Sequence, residues 1–254
     1  MLFDTHAHFD DRKFDQDRDA MIKKSYEDGV TLIMNPGSSI SSSKQSVLLS
    51  KKYDFMYCAV GVHPHDATEM DDRSIEILAD LAIRDKVKAI GEIGLDYFRD
   101  LSPRDIQKKR LIEQIDLAKQ LNLPVILHDR DSHEDIMSIL RKENIKSIGG
   151  VLHSFSGSKE MAKECLKLGL FLSISGPITF SNAKKTVEVV KDVPLEYLLI
   201  ETDSPYLTPV PHRGERNYSG HVKFVAQKVS EIKNIDFEIV ARTTFENGKR
   251  LFKI

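Results

Sequence analysis

Histidine and carboxylate side chains that could bind a metal ion begin almost at the start of the chain. His6 and His8 lie one residue apart in the segment FDTHAHFDD. Side chains two residues apart on a strand point to the same face, so both imidazoles could reach one divalent ion. A surface strand with polar outward positions would show the same pattern, and a metal site therefore needs further ligands from elsewhere in the chain.

Such ligands recur at or just after the ends of later predicted strands. The set of four histidines and two carboxylates is His6, His8, Glu92, His128, His153 and Asp203. Six ligands exceed what one catalytic ion with an open water position requires, which favours two ions. A carboxylate is the natural bridge between paired ions, and Glu92 is the predicted bridge because its strand lies between those of the other ligands. Imidazole and carboxylate ligands suit Zn²⁺ or Mn²⁺, and Mg²⁺ fits if waters complete the coordination, so the metal stays open.

The elements that must position these residues alternate regularly between strand and helix. Eight short apolar runs rich in β-branched residues predict strands at 2–8, 30–36, 55–63, 87–94, 124–130, 148–155, 170–175 and 197–202. Helical spacing is clearest at 103–122, with Pro103 in the first turn, at 158–169, closed by Gly169, and at 220–234. This alternation predicts an α/β fold, a TIM-like (β/α)8 barrel formed by a single domain over residues 1–254. A doubly wound open sheet is the alternative, although no GxGxxG motif supports it.

The barrel prediction brings the candidate ligands together. In such barrels the functional residues lie at the carboxyl ends of the strands, so all six side chains should converge on one rim. Charged side chains are costly to bury without partners, and their accumulation at one end favours a shared function over unrelated structural roles.

Composition limits the class of protein. The chain has 254 residues, is 41% hydrophobic and 30% charged, and has a formal net charge of −2. A broad electrostatic surface for duplex DNA is therefore not expected, and a polyanion would have to be bound locally. Cys58 and Cys165 lie in apolar stretches without a CxxC spacing, which indicates packed thiols in a reducing, cytoplasmic environment. Neither a signal peptide nor a membrane span is predicted.

Several motifs in a fixed order resemble the TatD family of metal-dependent deoxyribonucleases, within the amidohydrolase-like barrels. In chain order they are FDTHAHFDD, GVHPH, GEIGLDY, LHDRD, LHSFSG, ETDSPYLTPVPHRGERN and ENGKRLF. The resemblance implies hydrolysis of phosphodiester bonds, commonly as a 3′ to 5′ exonuclease on single-stranded DNA, with one or two divalent ions. It implies a first site of His6, His8, Glu92 and Asp203, and a second of Glu92, His128 and His153. Tyr218-Ser219-Gly220 departs from the acidic residue and proline that many members have after RGERN, in a loop expected to face the substrate.

The chemistry of phosphodiester hydrolysis predicts roles for further residues. Asp203 and Glu92 are the predicted catalytic residues, with Asp203 placed to accept or orient the proton of a metal-activated water. The predicted substrate contacts are His63, His65, Arg130 and Arg213, of which the two arginines would bind phosphate. The segment Asp96-Tyr97-Phe98 could stack a terminal base or pack against a neighbouring loop.

Two other functions remain open from the sequence. The same metal centre could hydrolyse another bond, such as the ester of a D-aminoacyl-tRNA, an amide or a lactone. A non-catalytic, metal-stabilised binding module would instead have closed coordination without a water position. The preferred partner is DNA with single-stranded 3′ ends, and no membrane partner is expected.

Overall fold

The computed structural model describes residues 1–254, apart from the side chain of Asp72. Strands and helices alternate along the chain, and one further helix follows the eighth unit. The strands are β1 Leu2–Asp4, β2 Val30–Pro36, β3 Met56–Val60, β4 Val87–Asp96, β5 Val125–Arg130, β6 Gly150–Leu152, β7 Leu170–Ile174 and β8 Leu198–Ile200. The helices are α1 Arg18–Glu27, α2 Ile40–Lys52, α3 Asp72–Ala82, α4 Arg104–Leu121, α5 His133–Lys142, α6 Lys159–Lys167, α7 Lys184–Asp192, α8 Val222–Lys233 and α9 Phe237–Phe252.

The eight strands form one parallel sheet in sequence order, from β1 to β8. Its two edges meet beyond the ends of β1 and β8, where Ala7 and Ser204 form a parallel bridge. The backbone N–H of Thr5 also donates to the carbonyl of Ile200 at 3.2 Å. These contacts close the sheet, which confirms the predicted (β/α)8 barrel and excludes the open doubly wound sheet.

The barrel interior has a packed apolar layer. Each strand contributes one residue to it: Phe3, Met34, Ala59, Ala89, Ile126, Val151, Phe171 and Leu199. Helix α9 contacts both β1 and β8 and adds its own apolar side chains to the layer, with the Phe252 ring 6.0 Å from that of Phe3. A second, larger core lies between the strands and the surrounding helices. Polar side chains inside the barrel are consequently displaced toward the carboxyl ends of the strands.

The predicted strand at 2–8 is too long, because β1 ends at Asp4. The buried Asp4 carboxylate accepts hydrogen bonds from Thr202 N (2.9 Å) and Thr202 Oγ1 (2.6 Å). These bonds hold the residues after β1 against the chain that follows β8, where they form only the single bridge. Strands β3, β6 and β8 also end earlier than predicted, so the polar residues near them lie in loops just past the strand ends.

The predicted helices agree with α4, α6 and α8 to within two residues, except that Pro103 caps α4 instead of lying in its first turn. Cys58 and Cys165 are buried free thiols, as expected. Over the described residues, no helix has both the length and the apolar character needed to cross a membrane.

Candidate metal centre

Glu92 lies between two groups of histidine side chains at the carboxyl end of the barrel. Its Oε2 is 3.3 Å from His6 Nε2 and 3.5 Å from His8 Nε2. Its Oε1 is 3.0 Å from His128 Nδ1 and 2.9 Å from His153 Nε2. The two oxygens of one carboxylate therefore face two separate groups of imidazoles.

Asp203 completes the first group, with its Oδ1 3.5 Å from His8 Nε2 and 3.9 Å from His6 Nε2. These two histidine nitrogens are 3.1 Å apart, and so are His128 Nδ1 and His153 Nε2 in the second group. Ligand atoms about 2.1 Å from a common ion lie about 3.0–3.4 Å from one another. The spacing within each group is that of ligands around one ion, and the structure brings all six predicted ligands together.

The backbone of β4 explains how Glu92 reaches this position. Between Ile90 and Ile93, β4 has one residue more than the segment of β5 with which it pairs. A bulge of this kind redirects a side chain without ending the strand. Just beyond it, Gly94 has φ +153°, and a Cβ atom there would lie 2.0 Å from the carbonyl oxygen of His128. The close approach of β4 to β5 beside Glu92 therefore requires glycine.

Hydrogen bonds on the outer side of the rings orient three of the histidines. Each ring has a nitrogen near an oxygen acceptor: His8 Nδ1 and the carbonyl of Pro36 (3.2 Å), His128 Nε2 and Asp96 Oδ2 (3.1 Å), His153 Nδ1 and Glu201 Oε1 (3.3 Å). An N–H that donates to such an acceptor leaves the lone pair on the other ring nitrogen, which faces Glu92 or Asp203. This is the tautomer that a metal ligand requires, so these residues fit divalent ions.

The electrostatics of the cluster also fit a cation. Burial alone would lower the pKa of His8, but the Asp203 and Glu92 carboxylates raise that pKa well above its usual range. Burial alone would raise the pKa of Glu92, but the surrounding histidines, His153 first, lower it well below its usual range. The carboxylates thus stay ionised and attract positive charge, which a divalent ion provides when it displaces protons from the imidazoles.

His63 and His65 lie beside the second group. His63 Nδ1 accepts a hydrogen bond from the backbone N–H of His65 (3.2 Å), which places the ring proton on Nε2, 3.5 Å from Glu92 Oε1. Burial and the neighbouring His128 lower the pKa of His63 well below its usual range, so the ring is neutral. A neutral ring with its proton on Nε2 is a hydrogen-bond donor toward the site, not a metal ligand. His65 Nε2 lies 2.9 Å from Asp96 Oδ2.

The cluster lies at the bottom of a cleft of about 830 Å³. Besides the histidines and carboxylates, the walls include the basic and apolar side chains Arg12, Arg99, Leu101, Arg130, Tyr206 and Leu207. A smaller cleft of about 270 Å³ adjoins it, with Ser154, Phe155, Ser156, Pro177 and Ile178 on its walls. Arg130 and Asp203 line both clefts.

The two aromatic side chains just after β4 have different contacts. The Arg130 guanidinium stacks on the ring of Phe98 at 3.9 Å, and Phe98 is 59% exposed. Tyr97 instead donates its hydroxyl proton to Asp135 Oδ2 at 2.6 Å and packs between loops. Of the two aromatic residues, Phe98 is therefore the one that contacts a residue of the cleft wall, Arg130.

The comparisons with known proteins bear directly on this arrangement. The family model described as "TatD related DNase" matches residues 3–253. The chain belongs to the TatD family. It is 46% identical to the uncharacterized metal-dependent hydrolase YabD of Bacillus subtilis over the full length of both chains. It is 33% identical to the 3′-5′ ssDNA/RNA exonuclease TatD of Escherichia coli K12, over 100% of this chain and 99% of that one.

The fold agrees with solved structures of TatD proteins. The crystal structure of the TatD homologue YjjV from Escherichia coli K12 superposes with a TM-score of 0.94 at 33% identity, covering 100% of this chain and 98% of that one. The protein is accordingly a metal-dependent hydrolase of the TatD family, and its His, Glu and Asp groups could hold the metal ions.

Tyr218-Ser219-Gly220, the segment expected to depart from the TatD pattern, lies after β8. Tyr218 is buried and donates its hydroxyl proton to Asp28 Oδ2 at 2.6 Å, at the end of α1. A Cβ at Gly220 would lie 2.4 Å from the Tyr218 ring, so the two residues depend on each other. Arg213 in the same loop stacks on Phe180 at 4.3 Å and is not among the described residues that line the two clefts. Its prediction as a phosphate contact has no support from the cleft geometry.

Sequence reasoning missed two carboxylates in this TatD-family site. Asp96 and Glu201 are buried, and each accepts a hydrogen bond from a candidate metal ligand. Both lie in the motifs GEIGLDY and ETDSP, only two to four residues from a predicted ligand. An acidic residue on an otherwise apolar strand needs a polar partner, and that requirement was the available signal.

Proposed function

We propose that this TatD-family hydrolase cleaves phosphodiester bonds at the 3′ ends of single-stranded nucleic acid, DNA first, with two divalent ions. The main support is the position of Glu92, whose two oxygens face two different groups of ligands. When bound, two ions would offset the phosphate charge, lower the pKa of an attacking water and stabilise the leaving oxygen. The printed name of the Escherichia coli relative, a 3′-5′ ssDNA/RNA exonuclease, agrees with this substrate class.

In the proposed centre, His6, His8, Glu92 and Asp203 hold the first ion, and Glu92, His128 and His153 hold the second. Asp203 is the proposed proton acceptor. Burial opposes its ionisation, but the hydrogen bond from His8 and the nearby imidazoles lower the pKa of Asp203, so its carboxylate is ionised. Its place at the boundary of the two clefts puts it beside any substrate that spans both.

The clefts support a single strand better than a duplex. Both are concave, and the net charge of −2 provides no broad positive surface. Arg130 would bind phosphate, because its planar guanidinium forks onto two oxygens and the Phe98 ring holds it at the cleft wall. His63 would donate from Nε2 to the substrate. A cytoplasmic location, predicted from the two packed thiols, stays a prediction.

Digestion of end-labelled oligonucleotides tests the proposal. Purified protein is stripped of metal, and single-stranded DNA, RNA and closed circular duplex DNA are incubated with it before and after Mg²⁺, Mn²⁺ or Zn²⁺ is restored. We expect no cleavage without metal, and stepwise loss of nucleotides from the 3′ end of single-stranded DNA once metal is restored.

Parallel assays on a D-aminoacyl-tRNA and a panel of lactones identify the alternative substrates. Cleavage of those esters without cleavage of DNA would overturn the nuclease proposal while leaving the hydrolase assignment intact. Full activity on DNA without metal, with elemental analysis confirming its removal, would overturn the proposed metal centre.

A further inference from the structure

Two polar atoms buried behind the metal centre have no hydrogen-bond partner among the described residues. They are His6 Nδ1 and Glu201 Oε2, and both residues have 0% exposure. An unpaired buried donor or acceptor loses its hydrogen bonds to water without replacement, so such atoms are rare in folded proteins. Because both belong to residues behind the same metal centre, each is a candidate hydrogen-bond partner for the other.

The geometry places both atoms on the same side of a stacked pair of rings. The rings of His6 and His153 are nearly parallel, 19° apart, with centroids separated by 4.0 Å. Both rings direct Nε2 toward Glu92, at 3.3 Å and 2.9 Å. His153 Nδ1, on the opposite side, lies 3.3 Å from Glu201 Oε1. A His6 ring aligned with that of His153 would direct its Nδ1 toward the same carboxylate.

A second geometric observation joins the same three residues. A ring nitrogen of His6, a ring nitrogen of His153 and a carboxylate oxygen of Glu201 all lie within 4.8 Å of one another. One side-chain rotation or one bridging water between these residues would connect His6 Nδ1–H to Glu201 Oε2, since a buried water requires polar partners of this kind.

We infer that Glu201 is the positioning residue for both halves of the metal centre, with one carboxylate oxygen for His153 and the other for His6. This inference rests on the proposed two-ion centre. Glu92 and Glu201 then bracket the stacked rings from opposite sides, so that Glu92 joins the two ions and Glu201 fixes the tautomers of one ligand from each site. A ligand held in the correct tautomer binds its ion about 10- to 100-fold more tightly than one without that support.

The backbone makes a sharp test possible, because it orients an amide substituted for this carboxylate. Glu201 Oε1 accepts the N–H of Ser154 at 2.8 Å in addition to that of His153. In Glu201→Gln the amide oxygen must stay on that side, so the amide NH₂ takes the place of Oε2 and cannot accept a hydrogen bond from His6. The variant should therefore weaken the first ion alone, by about 10- to 100-fold.

Asp96 offers a matched variant on the other side of the centre. Its Oδ1 accepts the backbone N–H groups of Phe98 (3.0 Å) and Arg99 (2.7 Å), while its Oδ2 faces His128 Nε2. Asp96→Asn must likewise keep its oxygen on the backbone amides and turn NH₂ toward His128. This variant should weaken only the second ion, by a similar factor.

Metal affinity, not activity, is the readout. Zn²⁺ and Mn²⁺ binding to the stripped proteins is measured by titration calorimetry with a competing chelator, which yields two binding steps. His8→Ala and His128→Ala identify which step belongs to which site. We expect Glu201→Gln to reproduce the step lost in His8→Ala, and Asp96→Asn the step lost in His128→Ala.

Several outcomes would overturn the inference. Unchanged affinities in Glu201→Gln, or equal weakening of both steps, would show that Glu201 has no separate role at His6. A third bound ion that disappears in Glu201→Gln would make Glu201 a ligand instead. If Glu92→Gln binds two ions as the wild type does, the proposed centre itself is wrong.

A measurement on the unsubstituted protein remains available if Glu201→Gln does not fold. In the Zn²⁺-loaded, ¹⁵N-histidine-labelled protein, the Nδ1 atoms of His6 and His153 should both bear slowly exchanging protons. A His6 ring with its proton on Nε2 would contradict the inference.

Discussion

The amino and carboxyl ends of the barrel interior differ in the interactions that hold their side chains. At the amino end, one buried apolar residue from each strand packs with apolar side chains of α9. At the carboxyl end, Glu92 is 3% exposed and surrounded by imidazoles that need specific hydrogen-bond partners. Stability at the first end depends on volume, whereas function at the second depends on the placement of individual atoms.

Glu92→Gln should have the largest effect on the metal centre at the carboxyl end of the barrel. The amide preserves the volume but removes the charge and one of the two oxygens that face the two ligand groups. We expect hydrolysis to fall below detection and both ions to be lost, while the circular dichroism spectrum stays that of a folded barrel. Near-normal turnover in this variant would assign Glu92 a structural role only.

Asp203→Asn should separate metal binding from proton transfer at the same end. Asparagine keeps an oxygen that can coordinate but cannot accept a proton as a carboxylate does. We expect kcat to fall by about two to four orders of magnitude, the usual loss for a general base, with metal and DNA still bound. Metal content, DNA affinity and single-turnover rate are measured on the same sample. A rate that falls only in proportion to lost metal would make Asp203 a ligand alone.

Phe252→Ala should destabilise the packing at the amino end of the barrel and leave the metal centre at its carboxyl end unchanged. The Phe252 side chain is 1% exposed and contacts the Phe3 ring, so its removal leaves a cavity. We expect the free energy of unfolding to fall by about 3–5 kcal/mol, with metal affinity and kcat of the folded protein unchanged.

Ile239→Ala, on the same helix, is the matched control, because Ile239 is 43% exposed. It should change stability by no more than about 0.5 kcal/mol in a denaturation experiment. A large loss of metal affinity in Phe252→Ala would show that the two ends of the barrel are coupled. It would contradict the view that they depend on separate interactions.

The same contrast explains which features the sequence could predict. Alternating apolar runs and helical spacing depend on burial alone, so they revealed the eight strands and the barrel. The convergence of the six candidate ligands was also predictable, because the carboxyl ends of the strands meet at one rim of a barrel, and their binding of metal stays a prediction. The bulge before Gly94 and the early end of β1 at Asp4 depend on contacts between distant segments, such as that between Asp4 and Thr202, which spacing along the chain does not encode.

The hydrogen bonds on the outer side of the histidine rings were harder to predict for a related reason. Glu201 and Asp96 act through hydrogen bonds whose partners are 48 and 32 residues away in the sequence. Arg213 was predicted to contact phosphate because of its guanidinium and its loop; its side chain stacks on Phe180, and the phosphate contact stays a prediction. Residue type indicates what a side chain can bind, whereas its direction depends on the folded loop.

Arg130→Gln should have the smallest of these effects. It tests whether a residue at the rim of the cleft affects substrate binding without affecting metal binding. Arg130 lies at the edge of the metal centre and contacts none of the proposed ligands through a hydrogen bond or ion pair among the described residues, so metal affinity should not change. Loss of one phosphate contact should raise KM for single-stranded DNA about ten-fold, with kcat nearly constant. The slope of log affinity against log salt should also become shallower by about 0.7, the value for one phosphate on a single strand.

Arg213→Gln is the control for Arg130→Gln, because it removes the same charge from a residue outside the two clefts. Its KM and salt slope should equal those of the unsubstituted protein. Equal effects of the two substitutions would mean that net charge, not a placed guanidinium, attracts the strand. In that case the specificity of the carboxyl end would be confined to the metal centre, and the cleft walls would contribute only general electrostatic attraction.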